Sequence, residues 1–382
     1  MTTMRDCTAE TFDAWPLARE RWAALVSGGV PTPFQSLAWL DRWYATLGAA
    51  ADVEPLIVFL RRDGRDRLGL PLIRRRESAL RVIEFADGGL TDYNAPALAA
   101  DAQDVIGPDA ALRALRAALP PADLLRLTKM PRRLGARANP LATGSRATAC
   151  RLAGNLLTID GDWLDWRSGL ERTVRKELER SLRVFERSAG ARFVRARDAA
   201  EGRRLLDELA RMQRARIAAL GLPYALDEPR NARFYEQLVE HGLESGAIVV
   251  TALEAEGECV AALLGVAAGD HYAMVRLGQA GGRWRNCSPG RLMIDQTMRA
   301  LRAEGVTRFD FTIGDYDYKR RLQVTRVELA DLTSSLSWRG APLAAGVVAR
   351  ARLRASPLVA GALAALRRPS LAVQGAAAVL VC

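Results

Sequence analysis

Hydrophobic and polar residues follow a recurring order of periodicities along the chain. Residues 55–60, 67–76 and 80–85 have the apolar content and the short polar turns that are typical of three successive strands. A helical repeat at about 109–119 and an apolar stretch at 124–128 follow them. The pattern therefore predicts a β-β-β-α-β unit in the first half of the chain.

The same order recurs in the second half, at similar spacing. Its parts are strands at 248–253, 259–267 and 271–277, a helix from Ser288 to Gly305, and a strand at 306–311. Two copies of one pattern predict two related α/β domains in tandem. Because residues 138–153 are polar and rich in Gly, Ala and Thr, we place the boundary there. The predicted parts are domains at 1–150 and 151–340 and a basic, Ala-rich helix or tail at 341–382.

Between the two copies, residues 163–188 predict one long amphipathic helix. Its cations share one face: Arg172, Lys176, Arg180, Arg183 and Arg187. They fit a solvated surface whose charge is partly offset by pairs from Glu171 to Arg175 and from Glu179 to Arg183. They also fit a basic wall that lines a groove for an acidic substrate. Both interpretations stay open at this point.

Composition narrows the classes of protein. The chain has 382 residues, 49% of them hydrophobic, which suffices for two domains with real cores, and its net charge is +11. A basic surface attracts nucleic acid, anionic lipid and phosphorylated ligands without choosing between them. Five cysteines without a C-x-x-C pair, and only two histidines, argue against a zinc ribbon, a disulfide framework or a His-rich metal site. We expect a soluble, cytoplasmic protein without a metal.

The segment 285–292, Arg-Asn-Cys-Ser-Pro-Gly-Arg-Leu, predicts a helix start suited to an anion. Ser288 is a good N-cap, Pro289 fits the first turn, and Gly290 lets another molecule approach the backbone. Backbone N–H groups at the positive end of a helix bind anions, and nearby arginines strengthen such contacts. The predicted cofactor-binding residues are Arg285, Ser288, Gly290, Arg291 and Leu292. An ordinary capped helix is the alternative.

Four short motifs occur in one order along residues 30–335. They are Phe34-Gln35-Ser36 with Trp39, Asp92-Tyr93-Asn94-Ala95-Pro96, Ser288-Pro289-Gly290, and Asp310-Phe311 with Gly314 and Tyr318-Lys319. In these motifs the chain resembles the BioF2-like acetyltransferase domain proteins of the GNAT superfamily, which include the cellulose-biosynthesis CelD type. It is more distantly similar to the Fem peptidoglycan aminoacyltransferases. The GNAT pyrophosphate loop corresponds to Arg285-x-x-Ser288-x-Gly290, with Ser288 where the family usually has Gly.

The resemblance implies an α/β fold of two tandem GNAT-like domains, with mixed, mostly antiparallel sheets flanked by helices. It also implies acyl transfer from a CoA thioester to an amine. Tyr316 or Tyr318 would protonate the leaving thiolate, Asp310 or Asp315 would act as the base, and Lys319 would orient an acidic substrate or the carbonyl. His271 and Cys287 are expected to be structural.

The resemblance also leaves a role open in the first domain. Asp92, Tyr93 and Asn94 would bind substrate at the edge of a shared cleft, or form only an Asx-type turn.

Three functions remain open from the sequence. The first is an acyl-CoA-dependent N-acyltransferase acting on a sugar, peptide or metabolite amine in cell-envelope or exopolysaccharide synthesis. The second is a Fem-like transferase that uses aminoacyl-tRNA, and the third is a non-catalytic scaffold of a polysaccharide-synthesis complex. No acidic residue follows Asp331, so the arginine-bearing C-terminal segment fits either peripheral association with an anionic membrane or a docked helix.

Overall fold

The computed structural model describes residues 7–28, 32–100 and 106–355, which belong to two compact units. The first unit contains the described residues up to Ala153 together with 327–355, and the second contains Gly154–Arg326.

Antiparallel strands form most of the first unit. Its strands are β1 Thr8–Phe12, β2 Val53–Arg62, β3 Arg65–Glu77, β4 Leu80–Phe85, β5 Ala97–Leu98, β6 Leu124–Pro131, β7 Arg133–Leu134 and β8 Arg137–Ala138, with β15 Thr325–Ser335. Its helices are α1 Trp15–Val26, α2 Leu37–Thr46, α3 Pro108–Ala118, α4 Pro140–Thr143 and α11 Ala341–Ala355. The strand order is β1-β2-β3-β4-β6-β15, and β4 and β6 are parallel.

The second unit is entered through β9 Ala147–Thr158, which begins in the first unit. Its remaining strands are β10 Arg192–Arg195, β11 Ile248–Ala255, β12 Glu258–Ala268, β13 His271–Gln279 and β14 Arg308–Asp310. Its helices are α5 Trp163–Gly169, α6 Arg172–Glu186, α7 Ala199–Ala219, α8 Pro229–Gly242, α9 Pro289–Ala303 and α10 Asp317–Arg321. The order of its sheet is β10-β11-β12-β13-β14, and the end of β9 pairs with β14.

Both units repeat one topology. In each unit three antiparallel strands lead into a helix, and the strand after the helix lies parallel to the third strand. These parallel pairs are β4 with β6 in the first unit and β13 with β14 in the second. The prediction of two tandem α/β domains is confirmed. Each copy buries its own apolar cluster, with α3 packed on the first and α9 on the second.

Two predicted boundaries differ from the structure. The helix predicted at 163–188 is broken, because Leu170 has an extended backbone and buries its side chain beside Val174 and Leu178. Residues 327–340, assigned from the sequence to the second domain, belong to the first unit because β15 pairs with β6. Of the predicted C-terminal helix, α11 is described, and residues 356–382 lie outside the described residues.

Gly340, just before α11, tests the packing of the first unit. A Cβ there would lie 1.9 Å from the backbone oxygen of Asp123, so Gly340→Ala should lower the free energy of unfolding by about 1–3 kcal/mol. Gly346, inside α11, has open space around it, and Gly346→Ala should raise that free energy by up to about 1 kcal/mol. Urea unfolding of both variants measures the difference. Equal effects of the same sign would contradict this packing.

Candidate functional site

Two neighbouring parallel strands separate within the second unit. β14 pairs with β13 only through His271–Ala273, and β13 then continues to Gln279. Among the described residues, no strand pairs with the β14-facing edge of residues 274–279. The divergence therefore opens a cleft in the sheet and leaves backbone hydrogen-bonding groups of β13 facing it.

A β-bulge lies in the diverging part of β13. Leu264 pairs with Arg276 and Gly265 with Met274, so Val275 is an extra residue on this strand. A bulge bends its strand and redirects the neighbouring side chains, and bulges are frequent beside active sites. Here it changes the direction of β13 within the cleft. The sequence analysis missed it, although Gly265 inside a strand was a signal.

Two side chains fix the chain that follows β14. Asn155 donates from Nδ2 to the carbonyl oxygens of Thr312 and Gly314, at 2.8 and 2.9 Å. Lys319 is fully buried, and its Nζ donates to the carbonyl oxygens of Phe311 and Ile313 at 2.6 and 2.8 Å. Lys319 thus supports the segment after β14, and its predicted role of orienting an acidic substrate or the carbonyl stays a prediction.

The same segment has two residues in left-handed backbone conformation, Thr312 with φ 57° and Gly314 with φ 107°. A Cβ on Gly314 would lie 2.6 Å from the Tyr316 ring. Glycine is therefore required where the turn passes this ring.

Asp310 lies where the two strands begin to separate, and it is buried. Its Oδ1 accepts a hydrogen bond from the Thr312 N–H at 2.7 Å, and its Oδ2 lies 3.5 Å from Nε2 of His271, which is also buried. Neither ring nitrogen of His271 has a hydrogen-bond partner within the described chain, and the Asp310 carboxylate lies within ion-pair distance of Nε2. His271, expected to be structural, lies directly behind the candidate base.

The other predicted catalytic residues are divided between the cleft and the surface. Tyr316 and Tyr318 are stacked, with ring centroids 6.1 Å apart, and both are half-buried. Asp315 is exposed and pairs with Arg320, so it is not the buried base that was considered. Of the two carboxylates predicted as the base, Asp310 is the one that is buried.

A groove of about 790 Å³ extends from the end of β13 to α7. It is lined by Arg211, Met212, Ala215, Arg216, Ala219, Leu220, Gln279, Ala280, Gly281, Arg285, Ser288, Pro289, Arg291 and Tyr318. Four of these residues are arginines. Arg211 pairs with Glu208 at 2.6 Å and Arg291 with Glu177 at 2.8 Å.

The other two arginines of the groove, Arg216 and Arg285, are exposed. Neither has an ion pair within the described part of the chain. Two guanidinium groups are thus available to an anionic ligand in this groove.

The helix start at α9 differs from the prediction in its details. Ser288 occupies the N-cap position with φ 46°, but its side chain caps no backbone N–H and instead accepts from Arg291 Nη2 at 3.2 Å. The Gly290 N–H donates to Oε1 of Gln279 at 2.7 Å, and the Leu292 N–H donates to the Ser288 carbonyl at 3.1 Å. The N–H groups of Gly290 and Leu292, two of the residues predicted to bind the cofactor, therefore already have internal acceptors.

The predicted substrate-binding loop of the first unit is buried. Asn94 donates from Nδ2 to Oδ2 of Asp87 at 2.9 Å, and the Tyr93 carbonyl accepts from Gln35 Nε2 at 3.2 Å. Asp92 is also buried. The Asx-type turn of this loop belongs to Asp87, whose Oδ1 accepts from the N–H of Gly89 and of Thr91. Substrate binding by Asp92, Tyr93 and Asn94 stays a prediction.

Three further observations concern the described residues alone. No cluster of three His, Cys, Asp or Glu side chains among them could hold a metal ion. Cys287 is buried, and its thiol donates to the Trp284 carbonyl, which agrees with the predicted loop packing. None of the helices described is both long enough and apolar enough to span a bilayer.

Comparison with known proteins identifies the class of fold. Residues 172–320, from α6 into α10, match the family model of the acetyltransferase (GNAT) domain. No curated protein matches the chain. The fold is thus mixed α/β with two tandem GNAT-like units.

Three solved structures are similar to most of the chain. FemX is 14% identical, with a TM-score of 0.56, and the match covers 89% of this chain and 100% of FemX. A conserved protein of unknown function from Bacteroides thetaiotaomicron is 12% identical, with a TM-score of 0.52 and coverage of 86% and 100%. A C-terminal DUF2156 domain from Agrobacterium fabrum is 12% identical, with a TM-score of 0.50 and coverage of 88% and 96%. These likenesses concern the fold.

GNAT domains use acyl-CoA. The positive charge of the groove suits the negatively charged phosphates of this donor. Among the described residues, Arg216 and Arg285 supply two guanidinium groups of this groove without carboxylate partners. A Cβ at Gly290 would lie 2.4 Å from Gln279 Oε1, so only Gly lets the Gln279 side chain cover this helix end. The two arginines, unlike the N–H groups of Gly290 and Leu292, thus have no internal acceptor within the described chain.

Arg216, Gln279 and Asn155 were not predicted from the sequence. Arg216 is one of many arginines on helices, and its place beside Arg285 depends on how α7 packs on β13. Gln279 gave a weak signal, as a polar residue ending a buried strand. Asn155 contacts residues more than 150 positions away, so no local pattern marks it.

Lys319 provides a stability test of the cleft. Lys319→Met should leave the Phe311 and Ile313 carbonyls unpaired and lower the free energy of unfolding by about 3 kcal/mol. Lys176→Met, at an exposed position of α6, is the matched control and should change it by less than about 0.5 kcal/mol. Urea unfolding followed by circular dichroism measures both. Equal stability of the two variants would contradict a supporting role for Lys319.

Proposed function

We propose that this protein is an N-acyltransferase that moves an acyl group from a CoA thioester to an amine. The observation that carries the proposal is the groove at the diverging end of β13, which combines Arg216 and Arg285 with Tyr318. The guanidinium groups suit the phosphates of the donor. β13 borders this groove through Gln279, and beyond Ala273 its edge is no longer paired with β14.

The residues of the cleft divide the proton transfers between them. The acceptor amine must lose a proton, and Asp310, buried at the point of divergence, is the proposed base. His271, 3.5 Å from its carboxylate, would hold Asp310 in place. The thiolate that leaves must gain a proton, and the Tyr318 hydroxyl, on a ring that lines the groove, is the proposed donor.

The wider setting rests on the resemblance to CelD-type proteins. We propose that the amine belongs to a sugar, a peptide or a small metabolite in cell-envelope or exopolysaccharide synthesis. The reaction would take place in the cytoplasm, where acyl-CoA is available, with peripheral contact to an anionic membrane through the basic C-terminal segment. These are proposals about substrate, pathway and location.

One observation favours a second donor, aminoacyl-tRNA. The five cations predicted to share one face are all exposed: Arg172, Lys176, Arg180 and Arg183 on α6, and Arg187 just after its end. At about 100° per residue they lie within about 80° of one another, along a helix length of about 22 Å. The expected offsetting pairs are not formed: Arg175 donates to the Ser168 carbonyl, and Arg183 donates to the backbone oxygen of Glu179. A row of unneutralised cations suits RNA phosphates.

Titration calorimetry with acetyl-CoA and longer acyl-CoAs tests the thioester proposal. Arg216→Gln and Arg285→Gln should each weaken binding roughly tenfold, because each removes a charge-assisted contact to a phosphate. Arg187→Gln, on the α6 row, is the matched control and should bind as the wild type does.

Two results would count against the thioester. If no acyl-CoA gave a binding signal in calorimetry at near-millimolar concentration, a CoA thioester would be excluded as the donor. The scaffold alternative would then remain. Steeply salt-dependent binding of tRNA, lost on charge reversal of Arg180 and Arg183 but insensitive to Arg216→Gln, would establish the second donor instead.

A further inference from the structure

Arg276, the residue after the bulge in β13, is a buried cation that has no counter-ion among the residues that the structure describes. Its side chain is 1% exposed. Nε and Nη2 both donate to Oε1 of Gln213, at 3.0 and 2.8 Å, and Nη2 also donates to the Tyr224 hydroxyl at 2.9 Å. The guanidinium lies over the Tyr235 ring, 4.7 Å from its centroid. All of these partners are neutral.

Two partly buried arginines of the described chain, by contrast, do have carboxylate partners. Arg126 pairs with Glu77 and Glu84, both at 2.6 Å, and Arg167 pairs with Asp295 at 3.1 Å. For Arg276, no acidic residue stands among the groups that affect its pKa, and burial lowers that pKa. Burial also raises the pKa of Tyr224, so its phenol is not a counter-ion either. An uncompensated buried charge is costly, which leaves a strong demand for an anion here.

Arg276 and its partners Gln213 and Tyr224 form a network that adjoins the proposed donor groove. Met212 and Arg216 of α7 line the groove, while Gln213, between them, holds Arg276. Gln213 also donates from Nε2 to the Leu277 carbonyl at 3.1 Å, which ties the network to β13 beyond the bulge. The partners of Arg276 thus belong to the same helix, α7, and the same strand, β13, that line the donor groove.

A short segment after α7 carries Tyr224, one of the partners of Arg276. It is residues 220–224, of which 221–223 are exposed, and it ends in Tyr224. Leu220, at its start, is 56% exposed and lines the groove. A shift of this segment, with Tyr224, would admit a small anion to the guanidinium.

We propose that Arg276 binds the carboxylate of the acceptor, so that the acceptor is an amine that also carries a carboxylate. A planar guanidinium matches a carboxylate in geometry, and its single charge is neutralised by one monoanionic group. The phosphates of the donor would instead bind to Arg216 and Arg285 in the groove. The assignment of this ligand as acceptor rests on the proposed acyltransferase function, whereas carboxylate binding at Arg276 does not.

Thermal unfolding of the full chain in sodium acetate, against sodium chloride at equal ionic strength, tests the carboxylate site. At about ten times its Kd, acetate should raise the Tm of the wild type by about 3 °C. Gln213→Glu places an internal carboxylate against Arg276 and should abolish the response. Gln237→Glu adds the same charge on α8 and should retain it. If Gln213→Glu does not fold, Arg276→Gln carries the same comparison.

Several results would overturn the proposal. They are equal Tm values of the wild type in acetate and chloride, an acetate response that Gln213→Glu keeps, and a response to inorganic phosphate in place of acetate. With a bound thioester established, transfer to L-alanine should exceed transfer to L-alaninamide at least tenfold in the wild type, and not in Gln213→Glu. An acetate response without thioester binding would remove the acyltransferase proposal and leave the carboxylate site.

Discussion

The buried ammonium of Lys319 is the contact on which the candidate site depends. Its two hydrogen bonds to the carbonyls of Phe311 and Ile313 fix the segment that follows β14, where β14 stops pairing with β13. The left-handed residues Thr312 and Gly314 make the turn possible, and Asn155 supports it from the adjoining strand. Asp310 is placed at the opening because it is the last residue before this segment departs.

Charge is distributed unevenly around the cleft, and the distribution suggests its ligands. Arg211 and Arg291 are paired with carboxylates, whereas Arg216 and Arg285 have no such partner within the described chain. Arg276 is enclosed by neutral groups. Surface pairs contribute little free energy, but an enclosed guanidinium without a counter-ion is costly. One groove and one buried group are therefore where anions would bind with the largest effect.

Much of the fold follows from periodicity, because strands with buried faces and helices with one apolar face leave regular patterns. The strands of both copies and the helix after Ser288 are examples. The candidate site is predicted less well from the sequence than the fold is. Ser288-Pro289-Gly290 marked the right helix start, but the capping of Gly290 by Gln279 depends on a tertiary contact. Lys319 was expected to orient an acidic substrate or the carbonyl, and only the packing of α10 shows that it is buried.

Hydrogen–deuterium exchange of the full chain, with and without acetyl-CoA, tests most directly whether the diverging strands of the second unit form the donor site. The account predicts slower exchange in peptides that cover residues 279–292 and 311–318, where the groove and the cleft meet. Peptides that cover residues 86–96 of the first unit should exchange at an unchanged rate. Unchanged exchange at 279–292 with saturating ligand, or protection confined to the first unit, would contradict the account.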